Sequence, residues 1–141
     1  MNILFFLTPK SEVAFIYNDF TLKQALEKME YYRYCAVPII DKDGKYVGTI
    51  TEGDILWTMR NKYREDSEKI KNCYISEIER KIDNQPIRID SNVEDLVLKL
   101  INQNFIPIID DSDIFIGIVT RKNVLQYCYD NYIKVMANNQ V

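Results

Sequence analysis

Two threonines, Thr51 in VGTITEGDIL (Val47 to Leu56) and Thr120 in IGIVTRKNVL (Ile116 to Leu125), stand where a strand-like apolar run turns into a helical one. Each has a polar partner three positions on, Asp54 and Asn123. A helix N-terminus offers unpaired backbone amides and a partial positive charge, which suit a phosphate. A carboxylate beside it can accept hydrogen bonds from both hydroxyls of a ribose. The same Thr-x-x-Asp spacing is also a helix cap that needs no ligand, and for one isolated copy capping is the stronger reading. The second copy adds a sharper signal, because Arg121 and Lys122 follow Thr120. Two cations in a first helical turn oppose the helix dipole at about 0.3–1 kcal/mol each. Stability alone favours acidic residues there, as Glu52 illustrates in the first copy, and a bound anion would reverse the sign. Solvent-facing side chains in a tolerant position account for the pair equally well.

The motif is one part of a longer repetition. Adding 69 carries Pro38 to Pro107, Ile39 and Ile40 to Ile108 and Ile109, Asp41 to Asp110, Gly48 to Gly117 and Thr51 to Thr120. Beyond it, Ile55, Leu56 and Met59 land on Val124, Leu125 and Cys128. The chain is therefore an internal duplication. Each half opens on a candidate strand, VAFIY at Val13 to Tyr17 and PIRI at Pro86 to Ile89. A helix follows each, with Leu22, Ala25, Leu26 and Met29 in one half and Val93, Leu96, Val97 and Leu100 in the other at amphipathic spacing. Thr21 with Gln24, and Asn92 with Asp95, are placed to cap them. The offset there is 71, so the second half is two residues shorter between helix and next strand.

Two strands come next in each half, CAVPIID to YVGTIT and FIPIID to FIGIVT. Asp43-Gly44 signals a hairpin turn in the first, whereas the Ser112-Asp113 stretch of the second has no glycine. A last helix follows each threonine. The charged stretch from Trp57 to Asn72 reads as an extension of the first half's last helix and then a solvated connector, Ser76 with Glu79 as a short capped turn, and the chain after Tyr132 as a frayed tail. Pro38 and Pro107 open their strands, where a missing amide is tolerated. The backbone just before them, around Ala36-Val37 and Phe105-Ile106, is expected to lie open for reading the edge of a flat ring. Phe15, Tyr17, Tyr34 and Phe105 could stack on such a ring, although strand aromatics more often fill a core.

Composition removes several function classes. The chain has 141 residues, 18 basic and 21 acidic, a net charge of -3 and no histidine. That balance lacks the electrostatic footprint of a general nucleic-acid binder. Without histidine the commonest general base and metal ligand are gone, and no glycine-rich phosphate loop or metal-ligand cluster replaces them. The three cysteines, Cys35, Cys73 and Cys128, are odd in number and widely spaced, which argues against a disulfide framework or a zinc site and for a reducing, cytoplasmic setting. The ILFFL run at Ile3 to Leu7 is too short for a signal-peptide core or a membrane span.

The VPIID and IPIID strands, the Asp-Gly turn, GTITEGD, GIVTRKN and the duplication together resemble a CBS-domain pair, or Bateman module, over residues 11–64 and 75–134. The resemblance leaves residues 1–10 as an N-terminal segment, 65–74 as a connector and 135–141 as a tail. It implies an α/β (α+β) fold of two β-α-β-β-α repeats related by a pseudo-twofold axis, with adenosine-type ligands in clefts between the sheets. It further implies that the motif threonine and aspartate meet ribose or phosphate, here Thr51, Asp54 and Thr120, while strand-opening residues such as Tyr34, Ala36, Val37, Pro38, Phe105 and Ile106 meet adenine. Asn123 departs from the pattern, since an amide holds a diol without charge assistance. The order of parts is similar to that of small stand-alone Gram-positive CBS proteins that bind cyclic di-AMP. By that likeness Val13-Ala14-Phe15 pairs with Thr120-Arg121-Lys122, and two phosphates match two cations. Glu12 cuts against that likeness, because it occupies a place where a lysine would help and the nearest lysine, Lys10, lies two positions back.

The resemblance thus implies a regulatory module that binds an adenine nucleotide, forms a homodimer and signals to a separate protein, and with the composition the expectation is a non-catalytic chain without cofactor or metal that takes neither nucleic acid nor membrane as partner. AMP, ATP or S-adenosylmethionine as the ligand, and an empty dimerisation scaffold, are the alternatives.

Overall fold

Pairs of apolar strands and amphipathic helices recur because each half must bury one face of a small sheet, and each half does so with help from chain outside its own repeat, Cys73 to Ile78 for the first and Ile3 to Phe6 for the second. The structure, a computed structural model, describes residues 1–64, 66–81 and 83–140. A 3-10 turn at Ile3–Phe6 leads to β1 (Thr8–Pro9) and a second 3-10 turn at Lys10–Glu12. The first repeat then runs β2 (Ile16–Tyr17), α1 (Leu22–Tyr32), β3 (Ala36–Ile40), β4 (Tyr46–Thr51) and α2 (Glu52–Trp57), the last continued by a π turn at Thr58–Lys62. After α3 (Ser67–Lys71) and a 3-10 turn at Ile75–Glu77, the second repeat runs β5 (Ile87–Arg88), α4 (Val93–Leu100), β6 (Phe105–Ile109), β7 (Phe115–Thr120) and α5 (Arg121–Asn138).

The strands form two sheets, β2-β3-β4 and β1-β7-β6-β5. In each, a short strand lies parallel to the first hairpin strand, Ile16 opposite Ile39 and Ile87 opposite Ile108. The expected five-residue strand at Val13 pairs only at Ile16 and Tyr17, and proline is the reason. In this register the next ladder bond back would run from the N–H of residue 38 to the C=O of Ala14, and Pro38 has no N–H. Pro107 cuts the second ladder at the same step, beside Gln85.

Both hairpins use one turn. The Asp41 carboxylate accepts from the N–H groups of Asp43 and Lys45, both at 2.9 Å, and the Asp110 carboxylate accepts from those of Ser112 and Ile114 at 2.8 and 2.9 Å. The left-handed residue is Gly44 at φ 85° in one and Asp113 at φ 64° in the other. An acidic residue tolerates that conformation, which is how the second turn forms without glycine. The two hairpins meet at their tips, where Lys45 bridges Ile114 and Tyr46 stacks on Phe115 at 6.4 Å. Because these are equivalent positions, the pseudo-twofold axis passes between them.

Thr21 and Gln24 form the anticipated capping box on α1, with bonds of 2.9 and 3.2 Å. Asn92 caps α4 through the Asp95 N–H at 2.9 Å. Three sequence readings are corrected. Ser76 and Glu79 form no box; the Glu77 carboxylate instead accepts from the Tyr74 N–H at 2.7 Å. The stretch from Trp57 to Asn72 is not wholly solvated, since Thr58 is buried and Met59, Tyr63 and Ile70 pack against the first core, which Cys73, Ile75 and Ile78 complete beside Leu22, Ile39 and Ile50. The chain after Tyr132 stays helical to Asn138, as its run of residues without glycine or proline permits.

The second core, of Leu96, Ile106, Ile108 and Val119, is completed by Ile3 and Phe6 from the chain's first turn. The two 3-10 turns, at Ile3 and Ile75, thus play equivalent parts. Both motif glycines serve this arrangement. A Cβ at Gly117 would run into the carbonyl of Thr8 and lie 3.1 Å from the Pro9 Cα, and one at Gly48 would meet the Asp83 carboxylate at 2.6 Å and the Arg80 guanidinium at 2.7 Å.

Candidate functional site

The prolines that shorten the parallel strands also open space beside them. On one side of the molecule that space is a cleft of about 470 Å³ reaching from Val13, Ala14, Tyr34, Ala36 and Pro38 of the first repeat to Phe105, Ile118, Thr120, Lys122 and Asn123 of the second. Its volume lies within the usual range for small-molecule sites. Thr8, Glu12 and Asn104 complete the wall.

The backbone of Ala14 and Ala36 forms part of this wall. Cys35 C=O accepts from the Glu52 N–H at 2.9 Å, which makes that pair a hydrogen-bonded step of the antiparallel ladder. Ala36, one step on opposite Thr51, therefore turns its N–H and C=O away from β4, toward Ala14. Ala14 is only 5% exposed, and neither its N–H nor its C=O has a hydrogen-bond partner among the described residues. Buried backbone groups are nearly always paired, so an unpaired donor and acceptor on one residue mark a place where something else can bind.

At the other end of the cleft, the Thr120 hydroxyl accepts from the Asn123 N–H at 3.1 Å and starts the 18-residue α5. The Asn123 side chain makes no hydrogen bond to described residues, and Lys122 stands exposed at the rim. With Lys122 on one wall and Glu12 on another, the cleft carries one cation and one anion in addition to the positive end of α5.

Arg121 does not join them. Its Nε donates to Leu100 C=O at 2.8 Å and its terminal nitrogen to Ile101 C=O at 3.3 Å, so the guanidinium closes the C-terminal end of α4. The two consecutive cations thus have separate tasks, and the dipole argument about them as a pair applies to Lys122 alone. Phe15 also lies outside the cleft, between Lys10 and Lys28, whose ammonium groups stand 5.2 and 4.9 Å from its ring centre. Burial holds the Lys28 ammonium below its ordinary pKa. Val37 and Ile106 are 1% and 0% exposed, and their side chains belong to the two cores.

Thr51 and Asp54 form the full capping box of α2, with bonds of 3.1 and 3.0 Å. The second carboxylate oxygen of Asp54 accepts from the Lys81 N–H at 3.3 Å, so both oxygens are engaged by backbone. On the strand side they are covered by Arg80, Asp83 and Asn84, while Asp54 and Lys81 also line a separate cleft of about 700 Å³ with Trp57, Thr58, Lys62 and Glu77. Arg80 pairs with Asp83 at 2.8 Å, Asp83 accepts from the Thr49 N–H at 3.0 Å, and Tyr46 donates to Asn84 C=O at 2.7 Å. Burial, its largest cause, pushes the Tyr46 phenol well above its ordinary pKa. Sequence reasoning missed this closure as well as Ala14's unpaired backbone, although Pro38, which leaves that carbonyl without a donor, was visible.

Among the described residues no group of His, Cys, Asp or Glu is placed to hold a metal ion, and no helix is long and apolar enough to cross a membrane. The CBS domain matches residues 7–61 and 75–130. Among solved structures, a CbpB in complex with c-di-AMP superposes with a TM-score of 0.86 at 25% identity, covering 98% of this chain and 91% of that one. CbpB of Listeria monocytogenes, also in complex with c-di-AMP, superposes with a TM-score of 0.80 at 25% identity over 92% and 95% of the two chains. The inosine-5'-monophosphate dehydrogenase of Methanocaldococcus jannaschii is 26% identical over 119 residues, which is 82% of this chain but 21% of that enzyme.

Proposed function

The chain belongs to the CBS-domain family, and on that premise we propose that it is a non-catalytic regulatory module that binds an adenine nucleotide, cyclic di-AMP foremost, in the Thr120 cleft and signals to a separate protein. The observation that carries this is the unpaired backbone of Ala14. An N–H and a C=O side by side complement the donor and acceptor along an adenine edge, and apolar walls at Val13, Ala36, Pro38 and Phe105 suit a flat ring. Ribose and phosphate then fall toward Asn123, Thr120, the amides of α5 and Lys122. The likeness to two CbpB structures holding c-di-AMP supports the choice of ligand. Thr51, Asp54 and Arg121 have no direct part in this arrangement.

A sensor must bind its ligand differently in two states to transmit anything, and self-association as a homodimer in the cytoplasm is the setting we propose for it. One observation favours a second reading, AMP: the cleft wall has a single lysine, Lys122, and also carries Glu12, which suits one phosphate better than two. Competition for labelled cyclic di-AMP by AMP, ATP and S-adenosylmethionine separates the readings. Displacement by AMP at lower concentration than by unlabelled cyclic di-AMP rejects the first, and failure of the label to bind at all, with no effect of the other three on thermal stability, leaves only a scaffold.

A further inference from the structure

A pseudo-twofold fold invites two equivalent clefts, yet the residues that leave the Thr120 cleft open have very different counterparts. In place of Val13, Ala14 and Tyr34, the second repeat carries Asn84, Gln85 and Gln103. The Gln103 carboxamide lies along the backbone of Gln85: its oxygen accepts from the Gln85 N–H at 2.9 Å and its nitrogen donates to the Gln85 C=O at 3.1 Å. These are the groups that stay unpaired on Ala14. Asn84 donates to the Phe105 C=O at 3.1 Å, the counterpart of the Ala36 C=O. A carboxamide offers one donor and one acceptor side by side, as an adenine edge does. At the sugar end, the Lys81 N–H occupies the Asp54 oxygen that capping leaves over.

We infer that Lys81, Asn84 and Gln103 act as an internal ligand of the Thr51 side, so that the chain takes one nucleotide, in the Thr120 cleft only. The inference rests on the nucleotide reading proposed above and adds to it the stoichiometry and the residues that set it. Both halves inherited the Pro-broken ladder, and a backbone donor and acceptor left over in each had to be satisfied or offered. Glutamine at 103 satisfies one pair, whereas tyrosine at 34, without a carboxamide, offers the other.

Calorimetric titration with cyclic di-AMP and with AMP tests the count, and amide hydrogen exchange of Gln85 tests the closure without any nucleotide. The expected results are one nucleotide per chain for the wild type, two for Asn84→Ala with Gln103→Ala, and Gln85 exchange at least ~10-fold faster in Gln103→Ala than in the wild type. Two nucleotides per chain in the wild type overturn the inference. So does a double variant that has lost Gln85 protection yet still binds only one. Unprotected Gln85 in the wild type overturns it even if the double variant fails to fold. No binding by a wild type whose Gln85 is protected defeats the nucleotide reading and leaves the internal contact standing, so the two failures are distinct.

Discussion

Arg121→Ala and Lys122→Ala, adjacent substitutions that remove the same charge, are expected to have opposite consequences. Arg121 makes a 2.8 Å bond to Leu100 C=O and a longer one, 3.3 Å, to Ile101 C=O, carbonyls at the end of α4 that have no helical partner. A hydrogen bond from a charged donor contributes about 1.5–3 kcal/mol when well made, and partial exposure of this one reduces it. Removing the cation from the first turn of α5 returns about 0.3–1 kcal/mol. The net cost is about 1 kcal/mol, a fall of roughly 3–5 °C in melting temperature for a chain of this size. Nucleotide affinity should stay within about twofold, since the guanidinium lies outside the cleft. Lys122 makes no hydrogen bond to described residues, so its loss should leave stability within about 0.5 kcal/mol. It should weaken nucleotide binding about 10–100-fold, the value of one charge-assisted contact to a phosphate. Thermal denaturation and equilibrium titration on the two variants read both quantities. An Arg121→Ala chain with unchanged melting temperature and an affinity as low as that of Lys122→Ala would refute the division of labour.

Gly117→Ala should be among the most damaging single changes, because the added carbon meets the backbone of β1 rather than a side chain able to move; loss of the cooperative unfolding transition, or a drop of several kcal/mol in urea, is the expected result. Gly44→Ala has room, its nearest neighbour being Ile114 at 3.7 Å, and should cost only the left-handed conformation, about 1–2 kcal/mol, while Gly44→Asp should cost less because Asp113 adopts the same turn. Phe6→Ala, in the chain's first turn, should destabilise by about 3 kcal/mol, as expected of a core residue and not of a loose leader, again measured by urea denaturation.

The duplication, the strand and helix order and the caps were legible because each leaves a periodic or spaced trace in the residues. Thr21 with Gln24 and Thr51 with Asp54 are local devices, closed within one turn of helix, and local chemistry is what spacing records. The cleft was half legible. Ala14, Ala36, Phe105, Thr120 and Lys122 do come together, but Arg121 was assigned by its neighbours in sequence and answers to a helix end 21 positions back. The part that Ile3 and Phe6 play in the second core was hidden for the same reason, since an apolar run does not say which sheet it will cover. The closure beside Thr51 depends on Gln103 reaching the backbone of Gln85, 18 positions away. Nothing in the spacing of two glutamines announces that contact. Only the proline that creates the need for it was on view.

The most direct test of the central claim, that the Thr120 cleft is an adenine-nucleotide site, is a thermal-shift titration of the wild type and Lys122→Ala with cyclic di-AMP, AMP, ATP and S-adenosylmethionine. Ligand at 100 times its dissociation constant adds about 2.7 kcal/mol of stability. The account predicts such a rise for the wild type with cyclic di-AMP, and a rise at the same concentration that shrinks in Lys122→Ala. A melting temperature that stays flat with all four, or a full response that is indifferent to Lys122, would contradict it.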